Sequence, residues 1–143
     1  MIAAMVIFVH YNARVNYLNT EEGITETFND NLELFLEAAA FIENDPGDYY
    51  CYKTPEKFLL QRDGNNINSC NIDIGAQILY LINDLKFIGI LEYDDCICFI
   101  KQDGSDHRGI IYEKIDNCSN KYDGPGKVKL IINKWAYFDF LLT

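Results

Sequence analysis

Residues 87–100 read FIGILEYDDCICFI, and their reading decides the fold. From Ile88 the apolar period is two, the spacing at which side chains alternate between the faces of a strand. Asp94-Asp95 interrupts the pattern, so the stretch reads as one long broken strand or as two short ones. The preceding residues obey a different rule. In NIDIGAQILYLINDLKF, Asn71 to Phe87, Ile74, Ile78, Leu81, Ile82 and Leu85 keep helical spacing, and Leu79 widens the apolar face. Asn71 or Asp73 can cap this helix and Lys86 suits its last turn, so a largely buried helix is expected to feed directly into the strands.

Working outward, strands dominate towards the C-terminus. Asp103-Gly-Ser-Asp106 is turn chemistry, and Gly109 to Ile115 returns as a partner strand. After the turn at Asp123-Gly-Pro-Gly126, Val128 to Ile132 and Trp135 to Phe140 read as further strands, the last alternatively as a short helix. An N-terminal strand is expected from about Ala4 to Tyr11. Its apolar run lacks a basic flank and an A-x-A site, and is too short to span a bilayer. The stretches GDYYCYKTPE, RDGNNINSCN and DNCSNKYDGPG read as polar loops. The expected order is β-α-(β)-α-β-β-β-β. That is an α+β fold, a single compact domain over residues 1–143 with a mostly antiparallel sheet and two main helices packed on one face.

The first of those helices lies in NTEEGITETFNDNLELFLEAAAFIENDPGD, residues 19–48, which holds nine of the 22 acidic residues and no lysine or arginine. It begins near Thr20 or Thr25, Gly23 weakens its first turn, and Asn44-Asp45-Pro46-Gly47 stops it. At 100° per residue, Ile24, Phe28, Leu32, Phe35, Ala39 and Ile42 cluster opposite Glu22, Glu26, Asp30, Glu33 and Glu37. Like charges at i,i+4 cost on the order of 0.2–0.5 kcal/mol per pair. A helix shaped for solubility alone would mix in lysine. The plain reading is a solvated face; the sharper one is a ridge that docks on a basic surface, gaining steering and some affinity. Asp45 and Asp48 extend the charge towards Tyr49, Tyr50 and Tyr52, aromatic anchors of the kind interfaces favour.

The chain as a whole carries a formal net charge of −10. That disfavours nucleic acid and anionic membranes as partners and favours basic proteins. Five cysteines at 51, 70, 96, 98 and 118 lack CxxC spacing, which is the pattern of reduced thiols in a cytoplasmic protein. Cys96 and Cys98 share a strand face, so with His107 or Cys118 they offer a metal set. Their plainer role is as small buried hydrophobes. His107, expected at a hairpin tip where Asp103 and Asp106 can orient it, is the better placed of two histidines for catalysis, and His10 sits in the N-terminal strand. No phosphate loop, HExxH, nucleophile elbow or calcium loop occurs. No catalytic residue, metal or cofactor is assigned.

The segments HRGIIYEK and KVKLIINKWAYFDF resemble small bacterial toxin-immunity proteins, in which an R-G-x-x-Y strand and a late W-x-Y/F strand recur within compact α/β domains. The resemblance covers about Arg108 to Phe140. It implies a cytoplasmic protein that binds and blocks a cognate toxin, such as the C-terminal nuclease of a contact-dependent inhibition system. An acidic inhibitor of a basic toxin also fits by electrostatics alone. The alternatives are an acidic secretion chaperone or adaptor, expected as a dimer, and a small enzyme using His107. Monomer and dimer both remain open.

Overall fold

The computed structural model describes residues 14, 16–45, 47–53, 58–63, 65–66, 75–102, 106–115 and 127–141. The expected N-terminal strand with His10, the capping residues Asn71 and Asp73, and Cys70 and Cys118 lie outside them. Within them the chain is an α+β protein. Helix α1 (Glu21–Asp30) and helix α2 (Leu32–Asn44) lead into strands β1 (Tyr49–Lys53), β2 (Phe58–Arg62) and β3 (Asn65–Asn66). Helix α3 (Ala76–Asn83) then leads to β4 (Gly89–Glu92), β5 (Cys96–Gln102), β6 (Asp106–Glu113), β7 (Lys127–Ile132) and β8 (Trp135–Leu141). All eight strands form one sheet, in the order β3-β2-β1-β4-β5-β6-β8-β7, and every pairing is antiparallel.

Cross-strand register sorts the side chains into two faces. Ile90, Phe99, Ile110 and Tyr137 stand opposite one another in a row across β4, β5, β6 and β8, and Ile97, Tyr112 and Trp135 form the next. These rows bury against Ile24 and Phe28 of α1, Phe35, Ala38 and Ile42 of α2, and Ile78, Leu81 and Ile82 of α3. Helices α1, α2 and α3 therefore cover one face. Phe35 is the hub: its ring centroid lies 5.1 Å from Phe28, 5.5 Å from Phe87, 5.3 Å from Phe99 and 6.0 Å from Trp135. Three of these contacts reach beyond the helices, so one side chain couples α2 to β5, to β8 and to the segment before β4. At the edge of this layer Lys101 is buried. Its ammonium donates to the Leu85 carbonyl, lies 5.1 Å from the Phe87 ring centre, and is pushed down to about 8 by burial and then by Lys86.

The first helix departs from expectation. It starts where capping predicts, with Thr20 Oγ1 accepting from the Gly23 amide at 3.1 Å, and it ends at Asn44 before Pro46. But it is two helices. Asn31 turns its side chain back to donate to the Thr27 carbonyl at 2.8 Å, and its own amide bonds Phe28. A short amide side chain that satisfies the last turn of α1 competes with helix continuation, and the backbone leaves helical geometry there. Gly23, expected to weaken the first turn, is instead demanded by it. A Cβ at this position would come within 2.0 Å of the Tyr17 carbonyl oxygen.

Other boundaries moved as well. YYCYK, read as part of a loop, is β1, a strand hydrogen-bonded on both sides. Helix α3 spans Ala76–Asn83, capped at Gly75 and ending before the expected Phe87, and Leu79, placed on its apolar face, is exposed together with Tyr80. Lys86 lies past the helix end, yet its ammonium still reaches the Asn83 carbonyl, where a cation complements the helix terminus. Trp135 to Leu141 is a strand, not a helix.

Residues of the late-strand resemblance carry structural work. Arg108 pairs with Asp139 directly opposite on β8, at 3.0 Å, and Tyr112 packs against Trp135 with ring centroids 4.7 Å apart. Gly109 admits the Phe99 carbonyl, which a Cβ would approach to 1.9 Å.

Candidate protein-binding surface

Helix α1 buries Gly23, Ile24 and Phe28 against the sheet. With that face inward, helical geometry turns Glu22, Glu26 and Asp30 outward, and all three are exposed. They line a broad groove of about 1070 Å³ between α1 and the edge strand β7, together with Tyr17, Glu21, Thr25, Asn29 and Lys129. The other wall depends on contacts far apart in sequence. Glu21 accepts from Lys127 and, at 2.9 Å, from Lys129. These two hydrogen bonds, reinforced by the ammonium charges, hold the Glu21 carboxyl below its usual range. The two lysines of β7 are thus committed to the first turn of α1.

Tyr17 donates to Glu26 Oε2 at 2.6 Å. That hydrogen bond chiefly, then loss of solvent and the charges of Glu26 and Glu22, pushes the phenol up to about 12. A tyrosine that stays neutral beside carboxylates holds Glu26 in one orientation without cancelling its charge. The groove therefore presents four carboxylates against one ammonium. It attracts a cation-bearing surface and offers polar side chains, Thr25 and Asn29, between the charges.

The break at Asn31 divides the expected ridge. Glu33 and Glu37 are exposed on α2 but do not line the groove. Glu37 accepts from Gln77 Nε2 of α3 at 3.2 Å. Asp45 is the exposed C-cap of α2. Asp48 serves as a tie: its Oδ1 accepts the Glu92 amide at 2.8 Å, and its own amide donates to Asp63 Oδ1 at 2.8 Å. Tyr49 and Tyr50 stand within the sheet, opposite Arg62 and Gln61 on β2 and Ile90 and Gly89 on β4. The structure thus brings together Glu22, Glu26 and Asp30 of the expected residues and adds Tyr17, Glu21 and Lys129. Glu21 was legible as an acid in the first turn. Its lysine partners were not, because they lie 106 and 108 positions away.

The opposite sheet face holds a second apolar set, Cys96, Cys98, Ile100, Ile111, Ala136 and Phe138, all buried. Cys96 and Cys98 share that face, as their spacing requires. His107 is a strand residue of β6 opposite Phe140, not a hairpin tip. It borders an apolar pocket of about 240 Å³ with Leu91, Tyr93, Cys98, Ile100, Phe138 and Phe140. Register keeps the thiol and the imidazole apart. Cys98 stands opposite Ile111, and His107 lies four residues along β6, roughly 13 Å by strand rise. A thiol–imidazole pair for nucleophilic catalysis needs hydrogen-bond reach, so these two residues do not make one. Among the described residues no three His, Cys, Asp or Glu side chains gather as a metal site, and no helix is long and apolar enough to cross a membrane. Comparison with protein-family models, curated proteins and solved structures yields no match.

Proposed function

We propose that this protein is a binding inhibitor that occludes a basic protein partner, acting in the cytoplasm as an immunity protein does on its cognate toxin, such as a nuclease domain. The observation that carries the reading is the groove between α1 and β7. Glu22, Glu26 and Asp30 are exposed along it, and the only lysines of β7 are tied to Glu21. A surface on which one sign of charge predominates speeds encounter with an oppositely charged partner and disfavours polyanions. Occlusion needs no catalytic group; a nuclease covered over its own cationic substrate path is inactive.

The test uses the partner itself. The full chain is used to capture proteins from its native extract, with washes at low and then high salt. One stoichiometric basic protein, released by salt and inhibited in its own activity when rebound, is the expected result. The triple variant E22K/E26K/D30K should stay folded and lose that protein, whereas E33K/E37K on α2 should retain most of the binding. Equal binding by the triple variant and the parent refutes the reading.

A further inference from the structure

The outer side of β7 is the end of the sheet, and among the described residues no strand pairs with it. Natural sheet edges are commonly blunted by charged side chains, because unpaired N–H and C=O groups template another strand. Here Lys127 and Lys129, whose side chains are 57% and 65% exposed, carry the charges that would blunt the edge, and both are paired with Glu21 of α1. The remaining exposed side chains of the strand are apolar: Leu130 is 66% exposed and Ile132 is 50% exposed. Glu22, Glu26 and Asp30 line the same groove as Lys129 of this strand.

We infer that β7 accepts an extended segment of the partner as a ninth strand, and that this segment alternates basic and apolar side chains. The pattern follows from the pleat. A strand added beyond β7 would lie about 4.8 Å from it, with successive side chains pointing to opposite faces. Positions on the face of Lys127 and Lys129 lie on the α1 side, where the four carboxylates of Glu21, Glu22, Glu26 and Asp30 outnumber those two lysines, and call for lysine or arginine. Positions on the face of Val128 and Leu130 extend an apolar surface and call for valine, isoleucine or leucine. Main-chain hydrogen bonds supply affinity and the alternate side chains supply specificity, as in strand addition generally. A second copy of this chain fits less well. It would bring another formal charge of −10 to the edge and set its own acidic groove beside the first.

The inference rests on the acidic-groove reading for the sign of the partner's charge and adds its backbone geometry. The probe is a synthetic peptide of alternating lysine and valine, with capped ends, titrated against the full-length protein at low salt. A second peptide has the same sequence but N-methyl groups along its backbone, so its side chains persist while its N–H donors do not. Strand addition expects the first peptide to bind, the methylated one to bind at least about tenfold more weakly, and the amides of Lys127–Ile132 to slow in hydrogen exchange on binding. Equal binding of both peptides with unchanged exchange in β7 overturns strand addition. If E22K/E26K/D30K then abolishes that binding, the acidic-groove reading survives alone. Failure of the unmethylated peptide to bind overturns the inference, as does a dimer in light scattering whose β7 amides are protected without peptide.

Discussion

Replacing Phe35 by alanine tests the core on which the groove is mounted. Phe35 is fully buried and meets four other aromatic rings, three of them outside the first two helices. Truncating such a phenylalanine removes its transfer free energy and leaves a cavity that its stiff neighbours cannot fill, for about 3–5 kcal/mol. With a urea slope of roughly 2 kcal/mol/M for a chain of this size, 4 kcal/mol lowers the midpoint by about 2 M. F35L keeps much of the volume and should cost under about 1.5 kcal/mol. Leu36, the next residue, is 48% exposed, and L36A should stay within about 0.5 kcal/mol. The chain has a single tryptophan, Trp135, whose ring lies 6.0 Å from Phe35. Its fluorescence reports unfolding at the point where the cavity forms, and far-ultraviolet circular dichroism should give the same midpoint. A comparable loss for L36A and F35A would mean that α2 presents a different face to the sheet, and the placement of Glu33 and Glu37 outside the groove would fall with it.

Two further expectations follow from particular contacts. G109A forces a methyl group into the Phe99 carbonyl oxygen and crowds Phe138; since backbone must move, the loss should reach the upper part of the roughly 1–3 kcal/mol typical of overpacking. An unchanged urea midpoint would show that β5 and β6 are not as closely apposed as described. Glu21 gives a pH signature. Its folded carboxyl is held below the unfolded value by Lys127 and Lys129. The stabilisation is therefore complete above the unfolded pKa near 4.3 and is lost as pH falls through the lowered folded value. The pair is solvent-accessible and screened, so E21Q should cost no more than about 1 kcal/mol near neutrality, less in high salt, and nothing once the pH is below both values. A deficit that persists unchanged at pH 2 would assign the effect to packing and not to charge.

Much of the fold was legible because its signals are local. The switch from helical spacing to a period of two at Ile88 reflects side-chain geometry within a few residues, and it marks where α3 hands over to β4 and β5. Thr20 and Pro46 bound the first helical segment because capping and a missing amide act within one turn. The acidic character of the outward face of α1 is equally local, since burial of Ile24 and Phe28 obliges Glu22, Glu26 and Asp30 to face away.

What only the tertiary structure decided depends on distant partners. The polar, tyrosine-rich stretch 49–53 becomes a strand because β2 pairs along its length and β4 pairs with Tyr49 and Tyr50, a gain that no window of sequence contains. Strand β8 enters between β6 and β7, which leaves β7 at the edge. The chemistry of that edge follows from Glu21 reaching lysines more than 100 positions away. Composition and period determine which residues are acidic, which are apolar and which face they share. Only the packed chain brings the carboxylates of α1 alongside β7, the last strand of the sheet among the described residues, because that adjacency is made by contacts whose loop-closure cost the whole core must offset.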